Sequence, residues 1–234
     1  RIILLAGPTA SGKTDIAVSL AKKIKGEIIN ADSMQVYKDF KILSSRPKKK
    51  QLKAAKHHLY GFQSSKVNFS TGEWLKLAKK KVQEILKKNK IPIIVGGTGL
   101  YFKAITSGMS IIPKIRPSDR NKVRKLFKTI GQKKFYQKLI KIDPISKNKF
   151  LYTDSQRAMR AYEVKKYTKK SIYEWAKETK SLFNKHEIIK IFINTPREQL
   201  LKNIESRTQS MFKENCVQEV KKFTKKKINS NLSV

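Results

Sequence analysis

The sequence predicts an α/β protein: a parallel sheet with helices on both faces, interrupted by an all-helical insertion domain. Three observations support this fold class. Short apolar runs alternate with stretches of helical period. A glycine-rich loop joins the first apolar run to the first helical stretch. A long lysine-rich segment has helical period but lacks strong apolar strands. The alternation of apolar runs with helical stretches implies parallel strands joined by crossover helices.

The core elements follow in order along the chain. Strands are predicted at residues 1–7, 27–33, 91–97 and 187–195, which are short runs rich in Ile, Val and Leu. Helices are predicted at residues 14–26, 71–90 and 196–212. Ser70 and Glu73 are spaced as a capping box at the start of the second of these helices.

The change in composition after Pro113 sets the domain boundaries. We assign residues 1–113 to the first part of the core, residues 114–186 to a helical insertion and residues 187–234 to a return to the core. The first residue is arginine and the last residues lack capping or turn signals, so we expect a chain trimmed at both ends.

The charge balance narrows the choice of partners. The formal net charge is +37, with 54 Lys and Arg against 17 Asp and Glu. Such a surface suits a polyanion such as nucleic acid, but lysine enrichment from an AT-rich genome would give the same number. The single cysteine, Cys216, excludes an internal disulfide. No apolar run approaches the ~18 residues of a membrane span. We expect a cytoplasmic monomer that does not bind membranes.

The glycine-rich loop matches the phosphate-binding loop (P-loop) pattern G-x-x-x-x-G-K-[ST] between a strand and a helix, the context that the pattern requires. Its residues are Gly7, Pro8, Thr9, Ala10, Ser11, Gly12, Lys13 and Thr14. Backbone N–H groups and the helix N-terminus would bind phosphate oxygens. Lys13 supplies a positive charge, and the Thr14 hydroxyl suits Mg²⁺. The loop predicts a P-loop NTPase-like core that binds a polyphosphate.

The identity of that polyphosphate is left open by the loop alone. Nucleotide hydrolases need a Mg²⁺-orienting acid at a strand end, yet the most apolar strand is followed by "GGTGLY" without an acid. The nearest candidate is Asp32, in "NADSMQVY". Asp32 could help hold Mg²⁺ or act as a general base, or it could simply cap the following segment.

Seven motifs occur together in the order and spacing of one enzyme family. They are "GPTASGKT", "NADSMQVYKDF", "HHL", "FSTGEW", "IPIIVGGTGLYFKAI", "DSQRAMRAYEV" and "ESRTQSMF". Across nearly all of its length the chain resembles bacterial tRNA dimethylallyltransferases. The resemblance implies transfer of a dimethylallyl group from dimethylallyl diphosphate to N6 of the adenosine 3′ of the anticodon, in tRNAs that read codons starting with U.

The resemblance also implies roles for individual residues. The P-loop would hold the diphosphate of the prenyl donor with Mg²⁺ on Thr14, and the catalytic residues would be Asp32 as general base with Thr98, Lys13 and Arg207. The implied contacts to the tRNA anticodon stem-loop are Asp32, Ser33, Met34, Gln35, Thr98, Arg120, Gln156, Arg157, Ala158, Met159 and Arg160. Basic helices of the insertion would bind the RNA.

Two positions depart from the family pattern. Ser44-Ser45 stand where Gly-Thr-Ala is expected, and Asn215-Cys216 stand where Gly-Leu is expected. The adjacent His57 and His58 are not interpreted as a metal pair, and one of them is expected to be a structural hydrogen-bonding residue. Three other functions stay open: a P-loop kinase of a small metabolite, a non-catalytic RNA-binding P-loop protein, and an enzyme that prenylates free adenine nucleotides.

Overall fold

A computed structural model describes residues 1–179 and 181–225 of the 234-residue chain. The chain forms two compact units. The core unit comprises Arg1–Thr106 and Leu182–Val234, and the helical unit comprises Ser107–Ser181. The insertion predicted at 114–186 overlaps the helical unit. Lys180 and residues 226–234, at the end of the predicted third segment, lie outside the described residues.

The core unit is built on a five-stranded sheet in the order β3-β2-β4-β1-β5. Every neighbouring pair is parallel. The strands are β1 (Ile2–Ala6), β2 (Gly26–Asn30), β3 (His57–His58), β4 (Ile91–Gly96) and β5 (Ile188–Phe192). Four of them were predicted from the sequence. The two-residue β3 was not predicted, because so short a strand has no periodicity to detect.

Nine α-helices are assigned within the described residues. They are α1 (Lys13–Lys23), α2 (Lys49–Ala54), α3 (Thr71–Leu86), α4 (Gly99–Ser107), α5 (Pro117–Ile142), α6 (Ser155–Thr168), α7 (Ile172–Lys177), α8 (Arg197–Lys213) and α9 (Cys216–Thr224). None of these helices combines the length and the apolar character that crossing a membrane requires.

The central strands β1, β2 and β4 are buried on both faces, as expected for parallel strands with crossover helices, whereas the edge strand β5 is largely exposed. Ile3 and Leu5 pack with α1 on one face, while the alternating Ile2 and Leu4 are also buried. Helix α3 begins with the predicted capping box: Glu73 N donates to Ser70 Oγ at 3.2 Å, and Ser70 N donates to a Glu73 carboxylate oxygen at 2.8 Å. This box fixes where the helix starts.

Trp74 fixes α3 against the end of β2. Its ring is fully buried and stacks on Tyr101 with centroids 4.1 Å apart. Its Nε1–H donates to the carbonyl oxygen of Asn30 at 2.8 Å. A buried indole with its N–H paired contributes packing without leaving an unsatisfied polar group. The contact holds the carboxyl end of β2 in place.

A buried ionic cluster anchors the other end of β2. The Glu27 side chain is almost fully buried; one oxygen lies 2.7 Å from His58 Nε2 and the other 2.8 Å from Lys90 Nζ. Burial alone would raise the pKa of Glu27, but hydrogen bonds from Lys90 and His58 outweigh it and lower the pKa to about 2. Nδ1 of His57 lies 2.8 Å from the carbonyl oxygen of Ala55. Both histidines therefore make structural hydrogen bonds.

The helical unit has its own hydrophobic core. Val123, Phe135 and Leu139 of α5 pack with Ala158 and Tyr162 of α6. The stretches predicted to be helical in this region lie in α5 and α6. Helix α5 is interrupted at Gly131, whose φ of 74° is non-helical, so the two halves of α5 are separate helical segments.

Candidate functional site

The P-loop sequence joins β1 to α1 at the carboxyl end of the sheet. Gly12 has φ 77°, a left-handed conformation that favours glycine, and its carbonyl accepts the first helical hydrogen bonds of α1 from Asp15 N and Ile16 N. Ala10 also has a positive φ, 62°. Asn203 of α8 donates from Nδ2 to the Ala10 carbonyl at 3.0 Å and so holds this unusual turn.

A pocket of about 760 Å³ opens beside this loop, and all of its lining residues belong to the core unit. Among them are residues 9–15 with Asp32, Gln35 and Arg207. The structure therefore brings four predicted site elements together from the ends of β1 and β2 and from α8. Gly7 and Pro8 belong to the same loop but do not line the pocket.

Three charged side chains act on one another in the pocket. Burial lowers the pKa of Lys13, the nearby Asp32 carboxylate opposes that shift, and the Arg207 guanidinium reinforces it. Lys13 Nζ donates to the carbonyl of Pro8 at 2.5 Å. Two cations and helix-terminal amides around one cavity make a binding site for a polyanion.

Asp32 is held rigidly at the end of β2. The fully buried Asn30 accepts from Asp32 N through Oδ1 at 2.9 Å and donates from Nδ2 to Asp32 O at 2.9 Å. Asp32 Oδ1 accepts from Met34 N at 2.9 Å and Gln35 N at 3.4 Å. The carboxylate thus caps the following turn, which is one of the three roles considered for it. Capping fixes its position on the pocket and is compatible with the general-base interpretation.

Thr98 links the ends of β4 and β2. Its backbone N–H donates to the Ala31 carbonyl at 3.2 Å, and its Oγ1 accepts from Ser33 N at 3.0 Å. Met34 is exposed. Gln35 donates from its side-chain amide to the carbonyls of Ser44 and Ser45 at 2.8 and 3.1 Å. That amide is therefore engaged within the chain.

Two of the predicted RNA-contacting residues of the helical unit, Arg120 and Arg160, flank a buried carboxylate. Glu163 lies 3.7 Å from Arg120 Nε and 3.5 Å from Arg160 Nη1. Burial raises the pKa of Glu163 above its ordinary value, although the two arginines oppose the shift. Arg157 Nε lies 3.3 Å from Asp154, and the Arg157 side chain is 70% exposed.

The remaining three predicted contacts differ in exposure. Gln156 is exposed, Met159 packs partly on the helical core, and Ala158 is fully buried in that core. The Ala158 methyl group therefore contributes to packing and offers no surface of its own. Arg157 and Gln156 present the most accessible polar side chains of this group.

Each of the two departures from the family pattern includes a residue with a positive φ. Asn215 lies between α8 and α9 with φ 65°, a left-handed conformation that glycine favours and asparagine tolerates. The following Cys216 is buried, as the expected leucine would be. Ser44 and Ser45 lie in a turn on the pocket wall, where Ser45 has φ 51°.

Several pocket residues were not identified from the sequence. They include four charged residues that also line the pocket, Lys41, Arg46, Lys48 and Glu219. Asn203 supports the loop, and it lies one helical turn before Arg207 on the same face of α8, which is a usable sequence signal. Within the described residues, no cluster of three or more His, Cys, Asp or Glu could hold a metal ion.

Comparison with known proteins gives consistent matches. A model of the family described as IPP transferase matches residues 35–234. The chain is 56% identical to the tRNA dimethylallyltransferase of Pelagibacter ubique (strain HTCC1062), covering all of this chain and 75% of that protein. It is 41% identical to the tRNA dimethylallyltransferase of Rickettsia canadensis (strain McKiel), covering 94% of this chain and 68% of the relative.

Two solved structures also match this chain. The full-length tRNA isopentenylpyrophosphate transferase of Bacillus halodurans matches with a TM-score of 0.66 and 28% identity, covering 98% of this chain and 72% of that one. A eukaryotic dimethylallyltransferase acting on tRNA matches with a TM-score of 0.81 and 25% identity, covering 97% of this chain and 57% of that one.

Proposed function

This chain belongs to the IPP transferase family, and on that premise we propose how its residues carry out prenyl transfer to tRNA. The chain prenylates an adenosine of tRNA, as the relatives named tRNA dimethylallyltransferase do. We propose that the donor is dimethylallyl diphosphate. The acceptor is N6 of the adenosine 3′ of the anticodon in tRNAs that read codons beginning with U.

The observation that carries the proposal is one pocket lined by the P-loop, Asp32 and Arg207. As the allylic C–O bond breaks, its electron pair leaves with the diphosphate, whose negative charge grows. Lys13, Arg207 and the loop amides would stabilise that charge from fixed positions, which is the most effective form of electrostatic catalysis. The same residues would bind the donor before reaction.

Asp32 lies on this pocket at a fixed strand end and is our candidate general base. In the reaction the adenine N6 forms a bond to the allylic carbon and releases a proton, which the Asp32 carboxylate accepts. Thr98 accepts a hydrogen bond from Ser33 N and would orient the incoming adenine. The adenine must leave the anticodon stack to reach this point.

The oxygen donors of the pocket fit Mg²⁺. The Thr14 hydroxyl and the Asp32 carboxylate line the same cavity, and magnesium prefers hard oxygen ligands. The described residues offer no cluster of three or more acidic or histidine ligands, so the ion would need oxygens of the diphosphate as well. When bound, Mg²⁺ would neutralise part of the diphosphate charge. Thr14 is its proposed protein ligand.

The helical unit is our candidate for RNA binding. Its exposed Arg157 and the Arg120–Arg160 pair around Glu163 are suited to phosphate contacts, because guanidinium groups bind phosphate oxygens in a forked geometry. Neighbouring Lys165, Lys166 and Lys169 add positive charge along α6 and its C-terminal end. Part of the net charge of +37 would then serve the tRNA.

The direct test is product formation. Purified full-length protein is incubated with Mg²⁺, dimethylallyl diphosphate and unmodified tRNA, and nucleosides are analysed after nuclease digestion. Prenylated adenosine from tRNA supports the proposal. Product from AMP but not from tRNA would assign the chain to free adenine nucleotides instead, and ATP turnover without prenyl transfer would assign it to a kinase. The monomeric state and the cytoplasmic location stay predictions.

A further inference from the structure

One wall of the pocket is a short turn without regular secondary structure. Residues 41–46, which we call the strap, are closed by hydrogen bonds from Ser45 N to Ile42 O at 2.9 Å and from Arg46 N to Lys41 O at 3.0 Å. Five of its six residues line the pocket. The strap therefore forms part of the surface that a bound diphosphate would meet.

The strap is fixed from the side of the sheet by two contacts. Gln35 donates its side-chain amide to two strap carbonyls, and Arg46 Nη2 donates to the carbonyl of Lys38 at 3.1 Å. A side chain at Gly61 would overlap the Arg46 guanidinium, since a Cβ there would lie 1.3 Å from Nη1. Gly61 therefore leaves the room that the arginine occupies.

From the other side, a single carboxylate holds the strap. Glu219 Oε1 accepts from the backbone N–H groups of Lys41 at 2.6 Å and Ile42 at 2.9 Å. Glu219 Oε2 accepts from Ile42 N at 3.1 Å and Leu43 N at 3.0 Å. Three consecutive amides converge on one anion, an arrangement in which each bond is charge-assisted.

Two further contacts join residues next to the strap to α9, which carries Glu219, and to the end of α8. The rings of Phe40 and Phe223 have centroids 4.4 Å apart. Lys48 Nζ and a Glu214 carboxylate oxygen lie 2.6 Å apart. The ring contact packs α9 next to the strap, and Glu219 is the α9 residue that accepts hydrogen bonds from the strap backbone. Without its carboxylate the three amides would lose their shared acceptor and the wall would lose its fixed shape.

We propose that Glu219 is a positioning residue for the donor, which holds the strap in the shape that binds the diphosphate of the prenyl substrate. The proposal rests on the proposed function, because it requires that the pocket takes the donor. Glu219 itself does not contact reacting atoms in this account. It acts through the backbone of residues 41–43.

The test compares Glu219→Ala and Glu219→Gln with wild type and with Glu205→Gln. Glu205 is an exposed glutamate of α8 and controls for loss of a negative charge. Steady-state prenyl transfer is measured with the donor and the tRNA varied separately. We expect the donor KM to rise about tenfold in Glu219→Ala and less in Glu219→Gln, which keeps one acceptor oxygen. The tRNA KM should stay within about twofold.

Hydrogen exchange of the ligand-free protein provides a readout that needs no activity. The amides of Lys41, Ile42 and Leu43 should exchange at least about tenfold faster in Glu219→Ala, with no change in α3. If the wild-type protein transfers no prenyl group, the proposed function is wrong. Hydrogen exchange then still tests whether Glu219 holds the amides of the strap.

A donor KM that rises selectively supports the positioning role. An unchanged donor KM overturns it, even where exchange accelerates, because the contact would then be structural only. An equal rise in the KM values for donor and tRNA also overturns it. If Glu219→Ala does not fold, the same comparisons apply to Glu219→Gln.

Discussion

Removing the negative charge of Glu27 should destabilise the core unit measurably. Glu27→Gln keeps the size of the side chain but not its charge, and so imitates the protonated acid. The buried carboxylate is bonded to Lys90 and His58, and these partners outweigh burial and lower its pKa from 4.5 to about 2. The ionised form is therefore the one that the folded state favours.

The expected size follows from that pKa. A fall from 4.5 to about 2 corresponds to about 3 kcal/mol, since one pKa unit is worth about 1.4 kcal/mol. The Lys90 side chain is 43% exposed, so solvent screens part of its attraction. We therefore expect Glu27→Gln to lower the free energy of unfolding by about 2 kcal/mol at pH 7, and the coupling energy between Glu27 and Lys90 to be about 1–2 kcal/mol.

The assay is urea unfolding followed by the fluorescence of Trp74. The chain has two tryptophans, and a Trp175→Phe background leaves only Trp74, which is fully buried in the core unit. A double-mutant cycle combines Glu27→Gln with Lys90→Met. The control is Glu84→Gln, a glutamate of α3 paired with Lys81 at the surface, for which we expect no measurable change.

The pH dependence has a definite sign. Because the folded pKa lies below the unfolded one, the stabilisation is fully present above pH 4.5 and is lost as the pH falls towards 2. Repeating the cycle at pH 3 should give a smaller coupling energy than at pH 7. A coupling energy near zero at pH 7, or one that grows at pH 3, would refute the electrostatic reasoning.

Three further predictions concern the proposed reaction. Asp32→Ala should lower the kcat of prenyl transfer by about 10²–10⁴ while tRNA binding, measured by filter retention, persists; an unchanged kcat would exclude Asp32 as the base. Lys13→Ala should lower kcat/KM for the donor by about 10²–10³. A loss of this size in kcat/KM for tRNA, with kcat/KM for the donor unchanged, would contradict a role of Lys13 at the diphosphate. Arg157→Ala should weaken tRNA binding and reduce the slope of the logarithm of the tRNA binding constant against the logarithm of the salt concentration by about one. The control Arg197→Ala, on the core unit, should change neither quantity. Equal effects of the two substitutions would indicate a non-specific contribution of charge.

Much of the fold was predictable because its central strands are buried on both faces. The runs at β1, β2 and β4 carry consecutive buried apolar residues, whereas β5, an exposed edge strand, was predicted from its isoleucine-rich run. The start of α3 was predictable because the Ser70 and Glu73 capping box is encoded in four neighbouring residues. Such local signals need no knowledge of distant contacts.

The missed features depend on contacts between distant parts of the chain. The acceptor for the amides of residues 41–43 is Glu219, about 180 positions away, and backbone amides carry no side-chain signal. The two-residue β3 exists because it pairs with β2, not because its own sequence favours a strand. The interruption of α5 at Gly131 lies within a continuous helical period and was not predicted.

The support of the P-loop turn by Asn203 has a consequence for synthesis on the ribosome. The side chain that holds the Ala10 carbonyl is translated 193 residues after the loop itself. At about 5–20 residues per second, the nascent chain carries an unsupported loop for about 10–40 s. Arg207 and Glu219 are translated later still. The donor pocket is therefore complete only after Glu219 has been translated, and until then the nascent protein carries a P-loop whose pocket cannot yet hold a diphosphate.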